Sequence, residues 1–353
     1  MPPTTTTPAW LLTGQSGPSS LEFNPECELP PLGPNDVLVR IHAASLNYRE
    51  LAIANGKFNI SLPSLIIPGS DGAGTILSTG AAVSRLTAGD RVVAHLTVGK
   101  PDDAPTTFPD ISSGLGHGAH GTMRRYAVFH ETSLVKMPAT LGFREAATLT
   151  CSGLTAWNAL FGAALPGRGK LGKGDTVLVQ GSGGVSVAAL QFALAAGATV
   201  IATTSSSVKA ERLSSLGAHH VINYVSTPDW GEVAKSLTTD SQGVDLVVDV
   251  GGPSTVAQSM KAVRPDGIVA LTGLLGAGEE NVPSVMDGLV HLCTTRGFLL
   301  GTRVQFQEMN AFIDEKGIKP VVDEKVFGFK EVKEAYDYLE SQKHFSKVVI
   351  DVE

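Results

Sequence analysis

The residues best suited to chemistry form a glycine-rich turn, Gly181-Ser182-Gly183-Gly184-Val185-Ser186. The β-branched run "TVLVQ" precedes this turn, and the apolar helical pattern "VSVAALQFALAAG" follows it. In such a strand–turn–helix unit, backbone N–H groups at the start of the helix can reach a pyrophosphate, which larger side chains would block. Ser186 replaces the third glycine of the GxGxxG pattern, so an ordinary glycine-rich turn is the alternative. The context favours a dinucleotide phosphate site made by residues 181–185.

The end of the next strand indicates which dinucleotide would bind. NAD-specific sites carry Asp or Glu about 20 residues after the glycines, where the carboxylate accepts from the ribose 2′-hydroxyl. Here the corresponding stretch holds Thr203, Thr204, Ser205, Ser206 and Ser207, followed by Lys209. Hydroxyls and an ammonium suit a 2′-phosphate, and no carboxylate is present to repel one. We therefore predict NADPH as the cofactor, bound by Thr204, Ser205, Ser206 and Lys209, although the serines could instead cap the next helix.

The elements that must position these residues divide the chain into two kinds of structure. From residue 176 onward, short β-branched runs alternate with longer helical patterns, which is typical of a doubly wound parallel α/β sheet. The earlier part offers short strands separated by glycine and proline, which predicts an antiparallel β domain. We predict an antiparallel β domain over 1–140, a nucleotide-binding domain over 141–302, and a tail of helix and strand over 303–353.

Composition excludes several classes of function. The formal net charge is −7, which gives no electrostatic reason to expect nucleic acid as a partner. Three cysteines lie far apart, without disulfide or zinc-ribbon spacing, and the N-terminal residues do not resemble a secretory signal. The long uncharged run around the glycine turn is too interrupted by glycines to cross a membrane. We therefore expect a soluble, cytoplasmic protein that works on a small molecule.

Several stretches spread along nearly the whole chain carry a resemblance to a known family. They include "SLNYRELAIANGKF", "PGSDGAGTILSTG", "AGDRVVA", "REAATLTCSGLTAWNAL", "GDTVLVQGSGGVSVAALQFA", "LGAHHVINY", "GVDLVVDVGG" and "HFSKVVI". In residues and in order they resemble the medium-chain dehydrogenase/reductase superfamily, most closely its zinc-lacking branch near quinone oxidoreductases and enoyl reductases. This resemblance implies a GroES-like catalytic domain over 1–140, a Rossmann domain over 141–302, and a C-terminal segment over 303–353 that returns to the first domain. The first two domains agree with the pattern of elements.

The resemblance also implies site residues that spacing alone does not identify. Asn47 would face the nicotinamide and orient its carboxamide or the substrate carbonyl, unless it only caps a helix. Tyr224 would contribute to the adenosine phosphate pocket beside Lys209, and Lys347 would reach the cofactor or only solvent. The far side of the cofactor would be lined by Gly251, Gly252, Thr272 and Gly273.

Zinc is the feature on which this superfamily divides. Its zinc-dependent alcohol dehydrogenases use a Cys, a Gly-His-Glu stretch and a second Cys as the catalytic metal site. Here Asn47 replaces the first Cys and Ser70 replaces the histidine, while Cys151 stands at the remaining position. One thiolate does not hold a catalytic zinc, which needs three protein ligands. We therefore predict no metal at this site.

Without a metal to stabilise an alkoxide, ordinary carbonyls are harder to reduce than a double bond conjugated to a carbonyl. Hydride addition to such a bond, or to a quinone, spreads the charge over an enolate or hydroquinone that hydrogen bonds can stabilise. The proton donor is open: tyrosines used by related reductases fall at Phe58 and Ala52 here, which leaves Tyr48 or solvent. Asn47 and Tyr48 are the candidate catalytic residues.

The predicted function is a zinc-independent, NADPH-dependent reductase of an enone, an enoyl compound or a quinone. One alternative is an alcohol or aldehyde oxidoreductase that works without metal, and another is a non-catalytic NADPH-binding protein. By resemblance, the chain is expected to form a homodimer through edge strands near "RGFLLGTR".

Overall fold

The computed structural model describes residues 5–57, 62–63, 65–273 and 282–353. It divides into two compact units, one formed by Met1–Leu154 with Thr302–Glu353 and the other by Thr155–Gly301. The predicted boundary lay at residue 140, whereas residues 141–154 group with the first unit. Two contacts tie them there: Ser45 donates to the Ala147 carbonyl at 2.9 Å, and Cys151 N–H donates to Asp71 at 3.1 Å.

The elements are numbered in chain order. The strands are β1 Thr6–Leu12, β2 Leu21–Glu28, β3 Asp36–Ser45, β4 Asp71–Thr79, β5 Arg91–Ala94, β6 Tyr126–His130, β7 Leu134–Lys136, β8 Thr176–Gln180, β9 Thr199–Thr204, β10 His220–Asn223, β11 Val244–Asp249, β12 Val263–Leu271, β13 Thr294–Gly297, β14 Phe327–Gly328 and β15 Val349–Asp351. The α-helices are α1 Tyr48–Ala54, α2 Phe108–Ser113, α3 Phe143–Ala146, α4 Leu154–Phe161, α5 Gly184–Ala195, α6 Ser207–Ser215, α7 Trp230–Ser236, α8 Val256–Ala262, α9 Asp287–Val290, α10 Arg303–Lys316 and α11 Val332–Glu340.

The first unit is built on a mostly antiparallel sheet with the strand order β14-β15-β3-β4-β5-β7, in which β6 also pairs with β3. Alternate residues of β3, such as Val37 and Val39, face the apolar core, as expected for a strand with one buried face. The register of this sheet brings residues from three strands close together. Ser45 at the end of β3 pairs with Asp71 at the start of β4 and with Val349 at the start of β15.

The second unit is a parallel sheet in the order β10-β9-β8-β11-β12-β13. Every residue of β11 is buried, as is typical of a strand covered by helices on both faces. The strand order reverses direction between β8 and β11, and open α/β sheets bind ligands at the carboxyl ends of strands at such a point. The predicted doubly wound sheet and antiparallel β domain are both confirmed.

The first unit also contains two helices before residue 140, α1 and α2, which the pattern of short strands did not predict. Each starts after a residue type favoured at helix N-caps, Asn47 for α1 and Thr107 for α2. Their apolar periodicity is too short to detect against the surrounding strands. Among the described residues, no helix combines the length and apolar character needed to span a membrane.

Candidate functional site

The glycine-rich turn joins the end of β8 to the start of α5. Gly181 has φ +76°, a left-handed conformation that favours glycine, and its N–H donates to the Thr203 carbonyl at 2.8 Å. A Cβ atom added at Gly181 or Gly183 would meet no atom of the described chain within 4 Å. Helix α5 begins at Gly184 without a side-chain cap, so its first N–H groups are available to a ligand. The turn therefore has the properties of an anion site at a helix N-terminus.

The serine that replaces the third glycine has a structural role in this turn. Ser186 is buried, and its hydroxyl donates to the Gln180 carbonyl at 2.5 Å. This bond ties the first turn of α5 to the end of β8. A small polar residue thus fits where the usual pattern has glycine, and Ser186 does not fill the space beside the turn.

The hydroxyl-rich string after β9 lies at the carboxyl edge of the same sheet. The Thr204 carbonyl accepts from Tyr224 N–H at 3.1 Å, so Tyr224, which is 43% exposed, lies beside the string. Ser206 caps α6 by accepting from Lys209 N–H at 3.3 Å, so the capping alternative applies to this serine. Ser205 is exposed and Lys209 is half-buried. No acidic residue lies between β9 and Lys209.

A buried carboxylate that the sequence reasoning did not single out organises the neighbouring turn. Asp249 ends β11, and its Oδ1 accepts from the N–H groups of Gly251 at 3.1 Å and Gly252 at 2.8 Å. Its Oδ2 accepts from the Ser259 hydroxyl at 2.6 Å, and Ser259 accepts from Gln180 Nε2 at 2.7 Å. Asp249 therefore shapes the Gly-Gly turn, and its position just before that turn was the available sequence signal.

The last predicted cofactor residues lie beside this turn. Thr272 N–H donates to the Asp249 carbonyl at 3.0 Å. A Cβ at Gly273 would lie 1.6 Å from the Val250 carbonyl oxygen, so only glycine fits there. The structure thus brings Gly251, Gly252, Thr272 and Gly273 together at the ends of β11 and β12.

In the first unit, a buried lysine joins three separate stretches of chain. Lys347 lies just before β15 and is only 3% exposed. Its Nζ donates to the Leu46 carbonyl at 2.8 Å, to Asp71 Oδ2 at 3.0 Å, and to Asn47 Oδ1. Asp71 is fully buried and also accepts from the Ser45 hydroxyl at 3.0 Å. The predicted site residues Asn47 and Lys347 are therefore in direct contact.

A second ion pair, Arg49 with Glu50, supports this cluster and was not predicted from the sequence. Glu50 accepts from Asn47 N–H at 2.8 Å, from Ser70 N–H at 3.0 Å and from the Ser70 hydroxyl at 2.5 Å. Arg49 Nη1 donates to Ser70 Oγ at 2.6 Å and lies 3.9 Å from Glu50 Oε1. The available signal was a glutamate three residues after an N-cap asparagine, which is the spacing of a capping box.

The orientation of the Asn47 amide follows from its partners. Asn47 occupies the N-cap position of α1, but its side chain makes no cap hydrogen bond there. Its Oδ1 accepts from the Lys347 ammonium, which can only donate hydrogen bonds, and also accepts from Ser152 Oγ at 3.3 Å. Its Nδ2 is buried and has no hydrogen-bond partner among the described residues. Asn47 thus presents an unused donor.

Tyr48 is the candidate proton donor that the structure describes. Tyr48, the first residue of α1, is 39% exposed, and Lys57 Nζ donates to its phenol oxygen at 3.3 Å. Ala52 is buried on the same helix. Phe58 lies outside the described residues.

Cys151 lies in a π-helical turn, Leu149–Gly153, against the buried carboxylates. Burial raises the pKa of its thiol, and the neighbouring carboxylates of Asp71 and Glu50 raise it further. Cys151 is therefore a neutral thiol at neutral pH.

Comparisons with known proteins agree with this architecture. Residues 33–139 match the family model described as alcohol dehydrogenase GroES-like domain, and residues 184–315 match the one described as zinc-binding dehydrogenase. The zinc-type alcohol dehydrogenase-like protein C1773.06c of Schizosaccharomyces pombe is 42% identical over 93% of this chain and 94% of its own length. The chain belongs to the medium-chain dehydrogenase/reductase superfamily. It is accordingly an oxidoreductase of a superfamily that works with nicotinamide cofactors.

Two further relatives of this dehydrogenase/reductase illustrate the range of the superfamily. The chloroplastic NADPH-dependent alkenal/one oxidoreductase of Arabidopsis thaliana is 29% identical over 97% of this chain and 78% of its own length. A solved NAD-dependent alcohol dehydrogenase is 31% identical, with a TM-score of 0.85 over 98% of this chain and all of that one.

The zinc ion implied by the names of the family model and the relatives does not fit the donors of this dehydrogenase/reductase. A catalytic zinc needs three protein ligands and an open position. At the expected positions stand an amide, Asn47, a hydroxyl, Ser70, that is already hydrogen-bonded, and a thiol, Cys151, with a raised pKa. The Asn47 amide oxygen already accepts a hydrogen bond from the Lys347 ammonium. Across the described ranges, no three His, Cys, Asp or Glu side chains are grouped to hold a metal ion.

A nicotinamide dinucleotide does fit the second unit of this dehydrogenase/reductase. The open glycine turn and the uncapped N-terminus of α5 would hold its pyrophosphate. The Gly-Gly turn held by Asp249 lies at the carboxyl edge of the adjacent strand, where such ligands bind.

Proposed function

We propose that this protein catalyses NADPH-dependent reduction of a carbon–carbon double bond conjugated to a carbonyl, or of a quinone, without zinc. The observation that carries the proposal is Asn47 Nδ2, which is buried and has no hydrogen-bond partner among the described residues, while the Asn47 oxygen is held by the Lys347 ammonium. A donor left unused in a buried site is costly unless a ligand completes it. An oxygen atom of the substrate would complete it.

The chemistry follows from what this donor can stabilise. NADPH would supply the hydride, which adds to the β carbon of the double bond. Negative charge then develops on the conjugated oxygen, and Asn47 Nδ2–H would donate to that oxygen. A positioned donor stabilises charge more in such a buried site than in water, because it needs no reorganisation. An enolate or hydroquinone anion needs less stabilisation than an alkoxide, so one donor suits these substrates best.

The preference for NADPH is supported by the edge after β9. Ser205 is exposed there, Lys209 is half-buried and Tyr224 lies alongside, with no carboxylate in the string. A 2′-phosphate would be attracted by the ammonium and accept hydrogen bonds from the hydroxyls. The α carbon would take its proton from Tyr48 or from solvent, and Lys57 holds the Tyr48 phenol at the start of α1.

The first experiment uses EDTA-treated protein. Fluorescence titration compares NADPH with NADH, and NADPH oxidation is then followed with a naphthoquinone, a cyclic enone, a crotonyl thioester and a simple aldehyde. We expect tighter binding of NADPH and turnover of the quinone or the enone. Turnover of the aldehyde alone would favour a metal-free alcohol or aldehyde oxidoreductase, and tight binding with no turnover would favour a non-catalytic binding protein.

The variant Asn47→Asp tests the donor, because an oxygen remains for Lys347 while the N–H is lost. Removing one such donor lowers kcat by about 100- to 1000-fold in characterised enzymes. The exposed Asn35, between β2 and β3, provides a matched control as Asn35→Asp. Equal activity of the two variants would refute the role of Asn47.

We also propose that the protein is a homodimer. Strand β13 forms the edge of the parallel sheet, and the segment before it exposes a row of apolar side chains. This row comprises Val285 (96% exposed), Met286, Leu289, Val290 and Leu292. Such a patch beside an open sheet edge suits burial against a second copy. Light scattering at micromolar concentration should give twice the chain mass, and Leu289→Asp should shift it to a monomer; a monomeric parent protein would contradict the proposal.

A further inference from the structure

The Lys347 ammonium is the buried cation that contacts Asn47, and its hydrogen-bonding capacity is filled without a ligand. An ammonium has three N–H groups. All three have acceptors here: the Leu46 carbonyl at 2.8 Å, Asp71 Oδ2 at 3.0 Å and Asn47 Oδ1. The cofactor contact predicted for Lys347 would require one of these bonds to break.

The buried charges of the cluster cancel. Lys347 pairs with Asp71 at 3.0 Å, and Arg49 lies 3.9 Å from Glu50. Asp71 is further held by Ser45 Oγ and by Cys151 N–H. A divalent cation here would need additional anionic ligands, whereas the structure already balances two positive with two negative charges.

The ammonium also decides which end of the Asn47 amide is available. Because the Lys347 ammonium can only donate hydrogen bonds, the amide oxygen must face it. Asn47 Nδ2–H then has no partner within the part of the chain that the structure describes. Hydrogen bonds in a chain polarise one another, so a cation on the oxygen strengthens the N–H as a donor. Without the cation, only the longer hydrogen bond from Ser152 Oγ, at 3.3 Å, holds the amide oxygen in this orientation.

We propose that Lys347 is a positioning residue: its ammonium stands in place of the zinc of related dehydrogenases and directs the Asn47 N–H toward the substrate oxygen. This inference rests on the proposed function, since the oxygen is that of the reduced substrate. It assigns Lys347 an effect on kcat rather than on cofactor affinity.

The test compares Lys347→Met with Lys347→Arg and with Lys343→Met, a control on the exposed lysine four residues earlier. Because Lys347→Met leaves Asp71 buried and unpaired, the double variant Lys347→Met/Asp71→Asn removes both charges and protects folding. We expect kcat to fall at least tenfold in both methionine variants at position 347, with the NADPH dissociation constant changed less than threefold. Lys347→Arg should recover part of the loss, and the control should match the parent.

A loss of NADPH affinity of tenfold or more with kcat nearly unchanged would make Lys347 a cofactor ligand and overturn the inference. So would one tightly bound zinc per chain in the parent protein, with loss of activity on chelation.

A readout independent of turnover separates this inference from the proposed function. The side-chain amide resonance of Asn47, identified by its absence in Asn47→Asp, should shift in Lys347→Met/Asp71→Asn and remain in place in Lys343→Met. If the parent protein reduces none of the activated substrates, the proposed function fails, while this resonance still reports whether Lys347 orients the amide. An unchanged resonance would refute the positioning role.

Discussion

The phosphate-binding role of the glycine turn can be tested by one methyl group. Gly183 has open space where its Cβ would be, and its φ of −78° is one that alanine adopts readily. Gly183→Ala should therefore fold normally but fill the space through which a phosphate approaches the backbone. We expect a stability change within about 1 kcal/mol, since alanine is only a poorer N-cap than glycine.

The size of the binding defect follows from the bonds that the methyl group would prevent. A hydrogen bond to a charged group contributes about 1.5–3 kcal/mol. Losing one such bond should weaken NADPH binding by about 10- to 150-fold, because 1.4 kcal/mol corresponds to a factor of ten. Fluorescence titration measures the dissociation constant, and thermal unfolding without cofactor measures the stability.

Gly297→Ala is the matched control, since Gly297 lies in the same unit and its added Cβ also meets no described atom within 4 Å. It should bind NADPH as the parent protein does. Unchanged affinity of Gly183→Ala for NADPH would show that the turn does not approach the pyrophosphate.

Three further predictions concern cofactor choice, packing and pH. Ser206→Asp keeps an N-cap on α6 but adds a carboxylate, so the NADPH-to-NADH affinity ratio should fall about tenfold or more, because like-charge contacts cost several kcal/mol; an unchanged ratio in parallel titrations would contradict the assignment. Gly273→Ala places a Cβ 1.6 Å from the Val250 carbonyl oxygen and should cost about 3 kcal/mol or more of stability, seen as a lower Tm or insoluble protein; a parent-like Tm would show that the turn can move. Burial lowers the pKa of His117 and His120, and the nearby Arg49 and Arg124 lower them further. These histidines bind protons more weakly in the folded protein than in the unfolded chain. Their unfavourable contribution to the free energy of folding is therefore absent above the ordinary histidine pKa of 6.5 and grows as the pH falls below it. The Tm should fall between about pH 7.5 and pH 5.5, and less so in His117→Asn; an equal fall in both proteins would exclude His117 as a source.

Features that depend on residues close together in the chain could be predicted from the sequence. The turn at Gly181 was predictable because a strand, two glycines and a helix start follow one another directly. The hydroxyl string at Thr204 to Ser206 and the alternation of elements that gives the parallel sheet were predictable for the same reason. The structural role of Ser186 could not be predicted from the pattern, since its bond to the Gln180 carbonyl depends on how the turn closes.

Tertiary structure alone decided the buried charge cluster. Lys347 and Asn47 lie 300 positions apart, and only the pairing of β15 with β3, and of β3 with β4, brings them into contact with Asp71. Spacing carries no signal for such a contact, because register between distant strands is set by packing of the whole sheet. Resemblance suggested that Asn47 and Lys347 belong to the site. The fold decided that Lys347 meets Asn47, and that the unused hydrogen bond belongs to the amide.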